Sequence, residues 1–268
     1  MSIFDNKTMR ASIHKNDDLI SLLKKYSQLD IFQNSLDIDF SSCRSLRGNF
    51  VAVIYGIIEQ AKNIGLSCYV IPPTNDKFIA VLCKNNFLPC VLPDSYQMLD
   101  DENDTVIPLA SVIIGDEQKY TSCIENLRLK GLKNVSDALY QKVVKQVAEM
   151  LNNSFRHSGS DGKLHYAGQF FPTQQKLYFT ILDFGVGIKS NVNKFLSENC
   201  SGSDAIRWAL QYQNSTMGEG GLGLTLLKEL ILKTNGELEI VSSDGYYKIV
   251  DGEEFYSNLD FIFHGTAI

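Results

Sequence analysis

Between Gly218 and Gly223 the chain places four glycines in six residues and then runs without a break into apolar sequence. The stretch reads Gly218-Glu219-Gly220-Gly221-Leu222-Gly223-Leu224, followed by Leu226, Leu227, Leu230 and Ile231. A flexible linker is the plain alternative, but a linker should not carry Leu222 and Leu224 among its glycines and lead straight into an apolar helix. Glycine backbone entering a helix leaves N–H groups free and points the positive end of the helix dipole at them. That makes a ready phosphate site. The spacing predicts a helix over 222–233.

Two further segments carry chemistry. A helix is expected over 136–156, with Tyr140, Val143, Val144, Val147, Ala148, Leu151 and Phe155 forming one apolar stripe. Glu149, Asn153 and His157 stand at i, i+4 and i+8, on the side nearly opposite that stripe. Taken alone, such a line is more often a solvated face. Its carboxylate–carboxamide pair also offers oxygens for a hard cation such as Mg²⁺. The other segment is Ile181-Leu182-Asp183-Phe184-Gly185-Val186-Gly187-Ile188. Here a carboxylate closes a strand and can accept from an exocyclic amine. The two glycines let a flat ligand approach the backbone. A tight strand-to-loop turn is the ordinary reading of Asp-x-Gly.

The rest of the chain alternates strand and helix. Strands are expected at 36–40 and 67–71, and helices at 50–61 and 76–87, a βαβα order that favours parallel strands. Pro93 and the acidic run 100–102 mark a boundary, giving domains 1–98 and 105–268. After the long helix come a hairpin (164–171 and 177–183), a polar segment 189–219 with a helix at 204–211, and short strands at 237–241, 246–250 and 259–263. Helices on one face of an antiparallel-leaning sheet make an α/β sandwich. A net charge of −6 on 268 residues argues against a sequence-independent nucleic-acid binder. No apolar run reaches the roughly 18 residues needed to cross a membrane. The opening MSIFDNKTMR is not expected to act as a signal peptide. Six scattered cysteines without a CxxC pair exclude a zinc ribbon and a disulfide scaffold, and they fit a reducing cytoplasm.

In order and spacing, Glu149-x-x-x-Asn153, Asp183-x-Gly185-x-Gly187 and Gly221-Leu222-Gly223-Leu224 resemble the GHKL nucleotide-binding (Bergerat) fold. That family comprises gyrase B subunits, large heat-shock chaperones, histidine kinases, anti-sigma serine kinases and MutL. The closing His264-Gly265-Thr266 resembles the Gly-Thr that ends the same fold. The resemblance covers about residues 105–268 and implies ATP and Mg²⁺ as ligands. It assigns Asp183, with Thr266 beside it, to the adenine amino group. It assigns Gly185 and Gly187 to the backbone near the base, and Asn153 to Mg²⁺. Arg156 would reach a phosphate, and His157 occupies the neighbouring aromatic or imidazole position. Gly221, Leu222, Gly223 and Leu224 would wrap the β- and γ-phosphates, and 189–219 would be a mobile lid. Glu149 matches the hydrolysing members and the serine kinases, where it would act as general base. Classical histidine kinases usually carry Asn there. The glycine box is one residue longer than the plain pattern. The hydrolysing members take a phosphate-binding Lys or Arg from a later domain, so turnover is expected to be slow or to need a partner.

More loosely, Leu36-Asp37-Ile38-Asp39-Phe40-Ser41, the following helix, Gly65 and the next strand resemble a STAS domain. Such domains are phosphorylated by GHKL serine kinases in partner switches. Ser45 stands near the matching position without the family's Asp-Ser-Ser, so a plain N-cap serine and a docking role for the domain are preferred. The expected protein is therefore a cytoplasmic, Mg²⁺-dependent ATP-binding protein, a slow ATPase or serine kinase. Its partners would be ATP and a regulatory protein of STAS or sigma/anti-sigma type, with no nucleic acid or membrane, and analogy points to a homodimer. A nucleotide-gated interaction module without turnover is the alternative, and a sensor histidine kinase is disfavoured. Trp208 is read as packing, His14 as a surface residue and His165 as a strand residue without a metal partner.

Overall fold

A computed structural model describes residues 8–29, 34–113, 115–132, 135–157, 163–211, 214 and 223–268. Among the described residues the fold is mixed α/β with two sheets. The first contains β1 (Thr8–Ser12), β2 (Ser35–Asp39) and β3 (Ser67–Ile71), in that order and all parallel. The second contains β4 (Val106–Ile113), β5 (Lys163–Phe171), β6 (Lys176–Asp183), β7 (Leu238–Val250) and β8 (Glu253–Ala267), in the order β4-β5-β6-β8-β7.

The chain divides into two compact units. One is Met1–Ala110 with His165–Thr180, and the other is Ser111–Leu164 with Ile181–Ile268. Residues 165–180 thus return to the first unit. Polar side chains show why. Asn49 Nδ2 donates to Thr180 Oγ1 at 2.8 Å, and the Gly48 N–H donates to Gln169 Oε1 at 2.9 Å. His165 Nε2 lies 3.3 Å from Glu59 Oε2.

In the first unit, α1 (Leu19–Ser27) starts at a reciprocal cap. Asp18 accepts from the Ser21 N–H, and Ser21 Oγ accepts from the Asp18 N–H. Neither α1 nor β1 is foreseen in the sequence. α2 (Val51–Asn63) buries Val51, Ala52, Val53, Ile54, Ile57, Ile58 and Ala61, so it is enclosed on most sides. The chain enters α2 through a 3₁₀ turn at Gly48–Phe50, with Arg47 at its start. Ser45 is therefore not its cap. The helix expected over 76–87 is two, α3 (Asp76–Lys84) and α4 (Phe87–Val91), parted where Asn86 adopts φ 65°.

In the second unit, α5 (Glu117–Asn126) precedes α6 (Asp137–His157). α7 (Gly187–Leu196) and α8 (Gly202–Ala209) follow β6, and α9 (Gly223–Lys233) packs against α6. The first two of the three short strands expected at the end merge into β7. β8 lies between β6 and β7, antiparallel to both. The pairing slips at Ser242 and Ser243, where Ser243 adopts φ 57°. A bulge of this kind splits the apolar alternation in two, which is why one strand reads as two.

The expectation of a mobile lid over 189–219 does not hold for its described part. Val192, Ala205, Ile206 and Leu210 are buried. α8 docks on β7 through two glycines: a Cβ on Gly202 would collide with the Gly245 backbone, and one on Gly245 with that of Gly202. The Ser203 N–H donates to Asn258 Oδ1 at 2.9 Å. The remainder, 212–213 and 215–219, lies outside the described residues.

Among the described residues no helix is long and apolar enough to cross a membrane, and no group of three His, Cys, Asp or Glu side chains could hold a metal ion. The six cysteines form no disulfide.

Candidate functional site

α6 supplies one wall of a cleft in the second unit. Its apolar side packs inward through Tyr140, Val147 and Leu151. Glu149 and Asn153, one turn apart, face the cleft together with Ser154. Glu149 and Asn153 are thus part of the wall of a cavity and not of a solvated face. The N-terminal end of α9 comes up against it. A Cβ on Gly223 would run into the Glu149 side chain and lie 2.9 Å from Asn153 Nδ2. Only glycine lets the backbone pass so near these two side chains.

The opposite wall is the end of the sheet. Asp183, Thr266 and Ser242 stand side by side on β6, β8 and β7, and Asp183 and Thr266 line the cleft. Asp183 is 3% exposed. Burial pushes its carboxyl up to about 6. Hydrogen bonds from the Gly185 N–H, the Ser154 hydroxyl and the Thr266 N–H pull the other way without offsetting it. The Gly185 N–H lies 2.9 Å from Asp183 Oδ1. A carboxylate has about four acceptor positions, so beyond the Gly185 N–H acceptor capacity remains for a ligand. Gly187, at φ 76°, lines the cleft close to Ser242. Gly265, at φ 143°, passes so near Asp183 that a Cβ would collide with its carbonyl.

α7 and α8 close a third side. Asn191 and Trp208 line the cleft, and the Trp208 ring meets Phe195 at a centroid distance of 5.5 Å. The cleft is only partly enclosed, with a cavity volume of about 120 Å³, and its remaining side is open to solvent.

The structure therefore brings Glu149, Asn153, Asp183, Gly187, Gly223, Leu224 and Thr266 into one cleft. Gly185 does not line it and instead supplies an N–H to Asp183. Arg156 and His157 lie on the last turn of α6, with side chains outside the described part. Gly221 and Leu222 lie outside the described residues. Sequence reasoning missed Ser154 and Ser242. Ser154 directly follows Asn153, a position from which a helix can also reach the cleft, whereas Ser242 carries no motif. Trp208 is packed as expected but also lines the site.

Residues 139–259 match one family model. It is described as histidine kinase-, DNA gyrase B-, and HSP90-like ATPase. The match supports a GHKL-type, ATP-binding domain, and it takes in every cleft residue just named except Thr266. No curated protein and no solved structure matches the chain.

Proposed function

We propose that the protein binds Mg²⁺ and ATP in this cleft and uses ATP slowly, by hydrolysis or by transfer to a serine of a regulatory partner. The observation that carries this reading is the meeting of Glu149 and Asn153 with the Gly223 backbone, across the cleft from Asp183 and Thr266. A remaining acceptor position of Asp183 would take the adenine amino group. Guanine presents a carbonyl there and would be rejected. The α9 N-terminus would hold phosphate oxygens through the N–H groups of its first turn. The oxygens of Asn153 and Glu149 suit a hard cation, with Asn153 as the assigned Mg²⁺ ligand. Bound Mg²⁺ would supply neutralisation of phosphate charge. Glu149 would take the proton of the attacking water or serine hydroxyl. In this reading Arg156 reaches a phosphate, His157 fills the neighbouring aromatic or imidazole position of the nucleotide site, residues 1–98 are a STAS-like docking part, and the protein works in the cytoplasm, with a homodimer as its assembly.

The test combines calorimetry with γ-labelled ATP and Mg²⁺, with and without candidate partner proteins. ATP should bind and GTP should not, and label should pass slowly into phosphate or protein. Glu149→Gln should keep binding and lower label transfer about 100-fold. Binding without any transfer would leave a nucleotide-gated interaction module. Equal affinity for ATP and GTP would remove Asp183 from its role.

A further inference from the structure

Ser242 is fully buried on β7 and belongs to none of the nucleotide-binding motifs. Its hydroxyl meets three groups. It accepts from the Ile188 N–H at 2.8 Å, lies 2.8 Å from the Gly265 carbonyl oxygen and lies 3.2 Å from Thr266 Oγ1. A hydroxyl has one hydrogen and two acceptor positions. Two oxygens at 2.8 Å need a hydrogen between them, and a carbonyl has none. The Ser242 hydrogen therefore goes to Gly265. The contact with Thr266 can then be filled only by the Thr266 hydrogen. With that hydrogen turned toward Ser242, Thr266 Oγ1 has only lone pairs to offer the cleft.

We propose that Ser242 is a positioning residue that fixes Thr266 as a hydrogen-bond acceptor and so sets which purine the cleft accepts. The inference rests on the nucleotide reading above. Asp183 and Thr266 are paired in register on β6 and β8. Two neighbouring acceptors match the two hydrogens of the exocyclic amine of adenine. Hypoxanthine places a carbonyl oxygen at the same position, where both acceptors repel it. Ser242 touches no ligand and acts through Thr266.

The experiment measures ATP and ITP affinities by calorimetry on the full chain, for wild type, Ser242→Ala, Thr266→Val and the double variant. In Ser242→Ala the Thr266 hydroxyl is free to rotate and can donate to the ITP carbonyl. The ATP-to-ITP affinity ratio should fall about tenfold, the scale of one hydrogen bond made or lost in a buried site. In the Thr266→Val background the same substitution should leave the ratio where Thr266→Val alone put it, because the two residues act as one unit. General loosening of the site would weaken both nucleotides together and leave the ratio unmoved, and that result overturns the proposal. If Ser242→Ala does not fold, Thr266→Val decides: a lowered ratio supports the acceptor and an unchanged ratio overturns it. A wild type that binds no ATP overturns the nucleotide reading itself. A wild type that prefers ATP, with the same ratio in Ser242→Ala, overturns this inference alone.

Discussion

Asp183 is buried as a carboxylate that must be ionised to accept fully from a ligand, and the fold bears a cost for it. Its pKa of about 6 stands against 3.8 for the unperturbed group. The folded protein therefore holds the proton more tightly than the unfolded chain. Stability from this group is greatest below pH 3.8, declines as pH rises toward 6, and stays at the lower level above. The full difference is about 3 kcal/mol. Urea unfolding followed from pH 4 to 7.5 should show this decline in wild type and lose it in Asp183→Asn, whatever the offset between the curves. Parallel profiles would mean that the carboxyl is not perturbed. The sequence shows Asp183 as a candidate because Asp-x-Gly-x-Gly is local. It cannot show Ser154 or Ser242, since a lone serine becomes part of a site only when another element is laid beside it.

At the scale of elements, α8 is held by what its first residue lacks. Gly202 and Gly245 touch backbone to backbone, so neither neighbour can give way to a side chain. Gly202→Ala should destabilise the protein by about 3 kcal/mol, at the upper end of overpacking costs. It should also shift the emission of Trp208, the single tryptophan of the chain, to longer wavelength as α8 lifts. Unchanged emission and stability would show that the contact is slack. This docking explains why 189–211 is misread as a lid. Its apolar residues are sparse, and the pairing of two glycines far apart in sequence leaves no periodic trace. Strongly periodic elements are plain in the sequence: β3 has the bounds expected, and α6 lies within one residue of them. β1 (TMRAS) and α5 (EQKYTSCIEN) are polar enough to pass as loops. Their places come from strand pairing and packing, not from their own pattern.

At the scale of the molecule, the first unit is discontinuous. Residues 165–180 bring it the buried side chains of His165 and Thr180, whose partners are Glu59 and Asn49. A fragment cut at the sequence boundary, 105–268, leaves these groups without those partners, at a cost of about 1–3 kcal/mol each. It should lack the sharp cooperative thermal transition of the full chain. A fragment with such a transition in calorimetry would show that 165–180 does not need the first unit.

The return of 165–180 also sets a schedule for biosynthesis. When Ala110 leaves the ribosome, the first unit is still without its last piece. That piece is complete only about 70 residues later, roughly 4–14 s at about 5–20 residues per second. Through that interval Glu59, the Tyr55 ring and the Asn49 amide wait without His165 and Thr180. In the cell, this half-made protein is the form most exposed to chaperones and to aggregation.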